Sequence, residues 1–177
     1  MKKEKIAYFA GGCFWCTEAV FQRLKGVHNI TPGYMGGEIK NPAYREVCTG
    51  RTGHAEGIRL QYHSEIISYQ DLLHVFFATH DPTTLNRQGN DVGTQYRSAL
   101  YCVDQEQESI AKKVIDELNS TTFDAPIVTE IQSEMPFYTA EEEHHNYYNQ
   151  HGEQPYCSVV ISPKVEKLKA RFAHLLK

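Results

Sequence analysis

The residues of this sequence best suited to chemistry form the run Gly11–Cys16, which reads Gly-Gly-Cys-Phe-Trp-Cys. The two glycines allow a tight turn, and a helical pattern begins after them, so we expect Cys13 at a helix N-terminus. Unpaired amides and the positive end of the helix dipole stabilise an anion there, by about 0.3–1 kcal/mol. The placement therefore favours the Cys13 thiolate by about one pKa unit at most. It indicates a nucleophilic or redox-active cysteine.

The spacing of Cys13 and Cys16 leaves three other interpretations open. Burial as small core residues is one, because cysteine is among the most buried residue types. Half of a zinc site is another, although a structural site needs four ligands and the sequence has no second C-x-x-C. The third is a thioredoxin-like redox pair, for which the Phe-Trp insert is bulky.

The composition bounds the class of protein. The chain has 177 residues, of which 41% are hydrophobic and 23% charged, and its net charge is −4. These values are typical of a globular protein and predict one domain over residues 1–177. No block of Lys and Arg supports a nucleic-acid partner. No run approaches the roughly 18 apolar residues of a membrane span, so we expect no membrane association.

The five cysteines cannot all pair with one another, because five is an odd number. A secreted scaffold held by disulfides is therefore a poor interpretation. The apolar start of the chain is also too short for a signal peptide. We expect a protein of the cytoplasm, a reducing compartment in which cysteines stay as thiols unless chemistry uses them.

Hydrophobic periodicity predicts the elements that must position the cysteines. Strands are expected over residues 6–10, 27–34, 58–62, 99–103, 127–131 and 158–161, and helices from residues 13, 68, 104, 139 and 162. Thr139 with Glu142 resembles a capping box, which predicts the fourth of these helices. Two long polar stretches, residues 35–57 and 81–97, lack periodicity, and a functional site is expected in such loops. The pattern indicates an α+β domain with helices on a small mixed sheet.

Several motifs in one order resemble those of a known family. The Gly-Cys-Phe-Trp-Cys run is similar to the signature of the A-type peptide methionine sulfoxide reductases. Further matching segments follow along the chain: Gly33–Gly37, Asn41–Cys48, Thr52–Glu56, His80–Thr83 and Asn86–Ser98. The fold expected on this basis is a single-domain two-layer α/β sandwich, a ferredoxin-like mixed sheet flanked by helices with long irregular loops.

The resemblance implies reduction of the S-epimer of methionine sulfoxide, free or in proteins. It makes Cys13 the nucleophile that becomes a sulfenic acid, and Glu56 the general acid. Phe14 and Trp15 would form the apolar wall that holds the substrate methyl group. A carboxylic acid that donates a proton near pH 7 needs a raised pKa, through burial or a neighbouring acid.

Further site residues follow from the same resemblance. Tyr44 and Tyr96 would donate hydrogen bonds to the sulfoxide oxygen, with Asp91 beside them. Cys157 would be the resolving cysteine, which condenses with the sulfenic acid to a disulfide. Cys16 is the alternative to Cys157; we favour Cys157, because a disulfide across two residues at a helix start is tight.

The resemblance also implies the partners. Thioredoxin, or dithiothreitol in the test tube, would reduce the disulfide, no cofactor or metal would be needed, and the protein would act as a monomer. The alternative is another thiol oxidoreductase that uses the Cys13–Cys16 pair. His54 is expected to orient the Glu56 loop, and Cys48 and Cys102 have no assigned chemistry.

Overall fold

The chain alternates short helices with strands and long connections. The structure, a computed structural model, describes residues 4–177, so the first three residues of the predicted domain lie outside the described part. In chain order the elements are β1 (Glu4–Gly11), α1 (Phe14–Phe21), β2 (Val27–Met35), α2 (Tyr44–Val47), β3 (Ala55–His63), α3 (Tyr69–Thr79), β4 (Arg87–Gln88), β5 (Asp91–Val92), β6 (Ser98–Cys102), α4 (Gln105–Thr121), β7 (Glu130–Ser133), β8 (Phe137–Thr139), α5 (Tyr147–His151) and α6 (Ser162–Arg171).

Six strands form one mixed sheet in the order β7-β6-β1-β3-β2-β8. The pair β6–β7 is parallel and the other pairs are antiparallel. Within it, β1-α1-β2-β3-α3-β6 makes the β-α-β-β-α-β unit of ferredoxin-like folds. The sheet therefore confirms the predicted α+β class, with a ferredoxin-like mixed sheet and helices beside it.

The helices bury one face of the sheet. Phe9 of β1 stacks on Phe21 of α1, with ring centroids 4.8 Å apart, and packs against Phe76 of α3 at 5.2 Å. Alternate residues of β3, namely Ile58, Leu60 and Tyr62, are buried, as their period-two pattern predicts. This packing fixes the ends of β1 and β3, from which the candidate site is built.

Two expectations for the C-terminal third are wrong. Thr139 does not cap a helix, because it ends β8 and pairs with Gly33 of β2. The helical structure there is a 3₁₀ turn, Glu142–His144, followed by the short α5, which begins after Asn146, a residue with left-handed backbone (φ 57°). The strand expected over residues 158–161 is a π-helical turn, Cys157–Ile161, that continues into α6. Its β-branched residues find no partner strand, and Val159 is exposed.

Candidate active site

Cys13 lies where β1 gives way to α1. Gly12 has a φ of 91°, which glycine adopts without strain, and Cys13 is the N-cap residue of α1 with extended backbone. The amide of Cys16 donates to the Cys13 carbonyl at 3.0 Å, which closes the first turn. The position predicted from the Gly-Gly pair and the helical pattern is confirmed, and the Cys13 side chain is 9% exposed.

Glu56 reaches the same turn from β3. The amide of Phe14 donates to Glu56 Oε1 at 3.2 Å. The side chain is 1% exposed, and Oε2 has no hydrogen-bond partner within residues 4–177. Burial raises the pKa of Glu56 to about 8, and the charge of Asp91 adds to the rise. Glu56 is therefore a neutral acid at pH 7, with one oxygen free to act.

The thiols of Cys13 and Cys16 are close enough for each to shift the pKa of the other. Burial raises the pKa of Cys13, so burial outweighs the helix dipole and the lowered pKa expected from the sequence is wrong. The hydrogen bond from Cys13 lowers the pKa of Cys16 to about 7, and the charge of Lys164 assists. Of the two thiols, Cys16 therefore loses its proton more readily near neutral pH.

Three tyrosines and a carboxylate surround Glu56 and the two thiols. Burial raises the pKa of Tyr44 and of Tyr96, and the nearby Glu56 adds to both, so their hydroxyls remain hydrogen-bond donors. The Tyr156 hydroxyl donates to Asp91 Oδ2 at 2.7 Å and lies 3.7 Å from Cys16 Sγ. The fold brings these groups together from α2, the 3₁₀ turn Thr94–Tyr96, β5 and the C-terminal segment.

The two aromatic residues of the cysteine motif have different environments. Phe14 is fully buried and packs against Tyr34 and His144, with centroids 5.6 and 5.4 Å away. Trp15 stacks on Tyr147 with centroids 3.7 Å apart and an interplanar angle of 6°, and its Nε1 donates to His144 Nδ1 at 3.2 Å. Phe14 is thus a buried support, and Trp15 is the more exposed aromatic surface.

Glu141 connects residues that the sequence did not link. Its Oε1 accepts from the Tyr34 hydroxyl at 3.0 Å, and its Oε2 accepts from the Tyr44 amide at 2.9 Å. This contact fixes the start of α2 and with it the Tyr44 side chain. The sequence analysis assigned no role to the polar partners in the site, which are Tyr34, Glu141, His144, Tyr147 and Tyr156; Tyr34 lies in the matching segment Gly33–Gly37, and the other four lie in residues 141–156.

Cys157 begins the π-helical turn and is 0% exposed. Burial raises its pKa, and the charge on Cys16 raises it further, so the two residues are electrostatic neighbours. All five cysteines are free thiols. The structure therefore describes the reduced protein, with Cys157 held on the Cys16 side of the site.

The remaining candidate residues lie around this centre. His54 accepts from the Gly37 amide at 3.0 Å and donates to the Ile39 carbonyl at 2.6 Å, so it joins two loops beside Glu56. Cys48 is exposed, and Cys102 is buried 4.0 Å from the Tyr69 hydroxyl. Residues 4–177 contain no group of three or more His, Cys, Asp or Glu that could hold a metal ion. None of their helices is long and apolar enough to cross a membrane.

A buried, proton-bearing carboxyl beside a helix-capping cysteine and a second thiol defines a thiol-dependent oxidoreductase on a ferredoxin-like sheet. Comparison with known proteins identifies the family. The family model described as peptide methionine sulfoxide reductase matches residues 5–176. The chain belongs to the peptide methionine sulfoxide reductase family, as its motifs predict, and is an enzyme of methionine sulfoxide reduction.

Individual relatives agree with this assignment. Peptide methionine sulfoxide reductase MsrA of Deinococcus radiodurans is 56% identical over 175 residues, which are 98% of this chain and 85% of the relative. Mxr1 from Saccharomyces cerevisiae in reduced form is 33% identical, with a TM-score of 0.80 over 88% of this chain and 90% of that one. Mxr1 in complex with Trx2 shares the fold, with a TM-score of 0.51 at 24% identity over 82% of this chain and 85% of that one.

Proposed function

We propose that the protein reduces the S-epimer of methionine sulfoxide, protein-bound or free, through a sulfenic acid on Cys13 and an intramolecular disulfide that thioredoxin reduces. The observation that carries the proposal is the neutral Glu56, tied to the amide next to Cys13. A charged carboxylate there would repel the thiolate, and it would have no proton for the sulfoxide oxygen.

The binding step places the sulfoxide between the acid and the tyrosines. Burial and the nearby Glu56 raise the pKa of both Tyr44 and Tyr96. Their hydroxyls therefore stay protonated and can donate hydrogen bonds to the sulfoxide oxygen. Trp15 supplies the apolar surface for the methyl group, with Phe14 beneath as its support. Asp91, held by Tyr156, helps to keep Glu56 protonated.

The chemical step transfers one oxygen atom and two electrons. The Cys13 sulfur attacks the sulfoxide sulfur while Glu56 protonates the oxygen. The protonated oxygen then moves from the substrate sulfur to the Cys13 sulfur: a new S–OH bond forms on Cys13, the substrate S–O bond and the transient S–S bond break, and methionine leaves as the thioether, with Cys13 left as a sulfenic acid. The sulfoxide is reduced and the Cys13 thiol is oxidised, so no resident cofactor or metal is required.

The recycling steps restore the thiols. The sulfenic acid is converted to a disulfide that finally joins Cys13 to Cys157, and the hydroxyl of the sulfenic acid leaves as water. Thioredoxin, or dithiothreitol in the test tube, then reduces the disulfide by thiol exchange. Mxr1, which is similar to this chain, has been solved in complex with Trx2, which supports thioredoxin as the partner. Residues 1–177 are proposed to act as one domain, as a monomer in the cytoplasm; the unpaired cysteines support a reducing compartment.

An assay with separated epimers tests the proposal. The protein is incubated with dithiothreitol and with each methionine sulfoxide epimer, and methionine is measured. We expect methionine from the S-epimer alone. Activity on the R-epimer only, or on neither, would overturn the proposal.

The placement of Cys13 and Cys16 on one helical turn, closed by the Cys16 amide at 3.0 Å from the Cys13 carbonyl, also favours a second candidate, a disulfide-exchange enzyme that uses this pair. Reduction of a model disulfide as fast as the sulfoxide, with no preference between epimers, would identify it.

A further inference from the structure

Cys16 occupies a position that the proposed reaction does not yet use. It lies on the first turn of α1, three residues after Cys13, and the turn is closed by its own amide at 3.0 Å from the Cys13 carbonyl. Such a turn keeps the two Cα atoms within about 7 Å, a separation that a disulfide can span. The two thiols also shift each other's pKa in the reduced protein, as close neighbours do. The backbone therefore holds the two cysteines within reach of a disulfide.

The surroundings of Cys16 make it the better nucleophile of the two candidate resolving thiols. In the reduced protein the hydrogen bond from Cys13, the charge of Lys164 and the Tyr156 hydroxyl lower its pKa to about 7, and Lys164 and Tyr156 still favour the Cys16 thiolate once Cys13 is oxidised. Burial, by contrast, raises the pKa of Cys157. An attacking thiol works best when its pKa is near the ambient pH, because it is then ionised and still nucleophilic. Tyr156, whose hydroxyl lies 3.7 Å from Cys16 Sγ, immediately precedes Cys157 in the chain and packs on the same side.

We propose that Cys16 is the thiol that first captures the Cys13 sulfenic acid, so that a Cys13–Cys16 disulfide precedes the Cys13–Cys157 disulfide. The inference rests on the proposed function, because it requires the sulfenic acid to form. In this step the Cys16 thiolate attacks the Cys13 sulfur, an S–S bond forms and the S–OH bond breaks. The departing hydroxide takes up a proton and leaves as water, and both sulfurs end at the oxidation level of a disulfide.

The second step is a thiol–disulfide exchange with no net oxidation. Cys157 loses its proton and attacks the Cys13 sulfur, and Cys16 leaves as a thiolate. The charge of Lys164 and the Tyr156 hydroxyl, 3.7 Å from Cys16 Sγ, stabilise the departing Cys16 thiolate, and a stabilised thiolate leaves faster. The exchange thus moves the disulfide to Cys157, which lies on the C-terminal segment, outside the sheet.

The test follows the oxidised species after one turnover. Four proteins are compared: wild type, Cys157→Ser, Cys16→Ser and the double variant, with Cys102→Ser as a control at a buried cysteine remote from the site. Each receives one equivalent of the S-sulfoxide without reductant and is acid-quenched over time. Methionine is counted, sulfenic acid is trapped with dimedone, and disulfides are mapped by non-reducing peptide mass spectrometry.

We expect Cys157→Ser to end with a Cys13–Cys16 disulfide and no sulfenic acid, and the double variant to retain its sulfenic acid. Cys16→Ser should reach the Cys13–Cys157 disulfide about tenfold more slowly than wild type, because Cys157 is less ionised at neutral pH. Wild type should show the Cys13–Cys16 disulfide early and lose it later, which tests the proposal without a substitution.

A persistent sulfenic acid in Cys157→Ser, or resolution in Cys16→Ser as fast as in wild type, would overturn the relay. Absence of methionine in every protein, including Cys102→Ser, would instead contradict the proposed function. Circular dichroism and thermal unfolding of each variant separate a chemical effect from loss of the fold.

Discussion

The amide of Phe14 donates a hydrogen bond of 3.2 Å to Oε1 of Glu56. One residue earlier in the chain, Cys13 caps the same helix. The first turn of α1 therefore carries the proposed nucleophile and, through the Phe14 amide, holds the proposed acid that comes from β3. Oε2 of Glu56 is buried without a partner within residues 4–177, and in the proposed reaction it is the atom that meets the substrate.

The rate of methionine formation in a single turnover should fall as the pH rises through about 8. The burial that raises the pKa of Glu56 to about 8 keeps it protonated below that pH, and only the protonated form can serve the sulfoxide oxygen. Glu56→Gln should lose this descending limb and about 10²–10⁴ of the rate, the usual contribution of a general acid. Rapid-quench measurements across pH provide the check; a limb that survives in Glu56→Gln would assign it to another group. Glu56→Ala, which lacks a donor, should be slower than Glu56→Gln.

The free energy of unfolding should also depend on Glu56. Its folded-state pKa, about 8, lies above the ordinary value of a glutamate, so the folded protein binds this proton more tightly than the unfolded chain does. The resulting stability is fully present below pH of about 4.5 and is lost as the pH rises through about 8. Relative to Glu56→Gln, the wild type should lose about 3–5 kcal/mol between these limits. Urea unfolding of both proteins at several pH values measures the difference, and parallel pH profiles would contradict it.

The hydroxyls of Tyr44 and Tyr96 should contribute to kcat/KM through the sulfoxide oxygen. Replacing either with Phe removes one donor and should cost about tenfold, since a hydrogen bond contributes about 1 kcal/mol or somewhat more. The double variant should lose at least the product of the two effects. Tyr8→Phe is the matched control, because the Tyr8 hydroxyl donates to Glu134 at 2.7 Å, away from the site. An equal loss of kcat/KM in Tyr8→Phe would contradict the prediction, because removal of any tyrosine hydroxyl would then have the same effect.

Trp15 reports on His144 by its fluorescence. It is the only tryptophan of the chain, and its Nε1 donates to His144 Nδ1, which requires the unprotonated nitrogen. Burial lowers the pKa of His144 below its ordinary range, so the bond is intact at pH 7 and should break only in more acidic solution. We expect a fluorescence transition below pH of about 6.5 that disappears in His144→Gln and persists in His174→Gln. A transition unchanged in His144→Gln would refute this account.

The parts of the site that depend on local sequence were predicted, and those that depend on long-range packing were not. The Gly-Gly pair and the helical period placed Cys13 at the N-terminus of α1, because both act within a few residues. Glu56 was expected in a loop near Cys13, but it lies in β3 opposite Tyr34 of β2. That strand register depends on pairing with a distant segment, so it could not be read from the local sequence pattern.

The pKa of Cys13 also depends on long-range packing. The helix dipole suggested a lowered pKa for Cys13, whereas burial, which depends on the whole fold, raises it. The contacts of Trp15 with His144 and of Cys16 with Tyr156 join residues 129 and 140 positions apart. No pattern in the sequence reveals such pairs. The helix predicted to begin at Thr139 was wrong for a related reason, because the partner of Thr139 in the sheet, Gly33, is more than a hundred residues away.

The sheet that carries Cys13 and Glu56 has its last strand end at Thr139, and Cys157 lies beyond it on the turn before α6. In the proposed reaction, the residues that remove oxygen lie on and beside the sheet, whereas Cys157 comes from a segment that adds no strand to it. A protein engineer who replaces the segment from about residue 152 onward would leave every strand in place, but must keep the Tyr156 contact with Asp91 and the core side chains of Ile161 and Leu168.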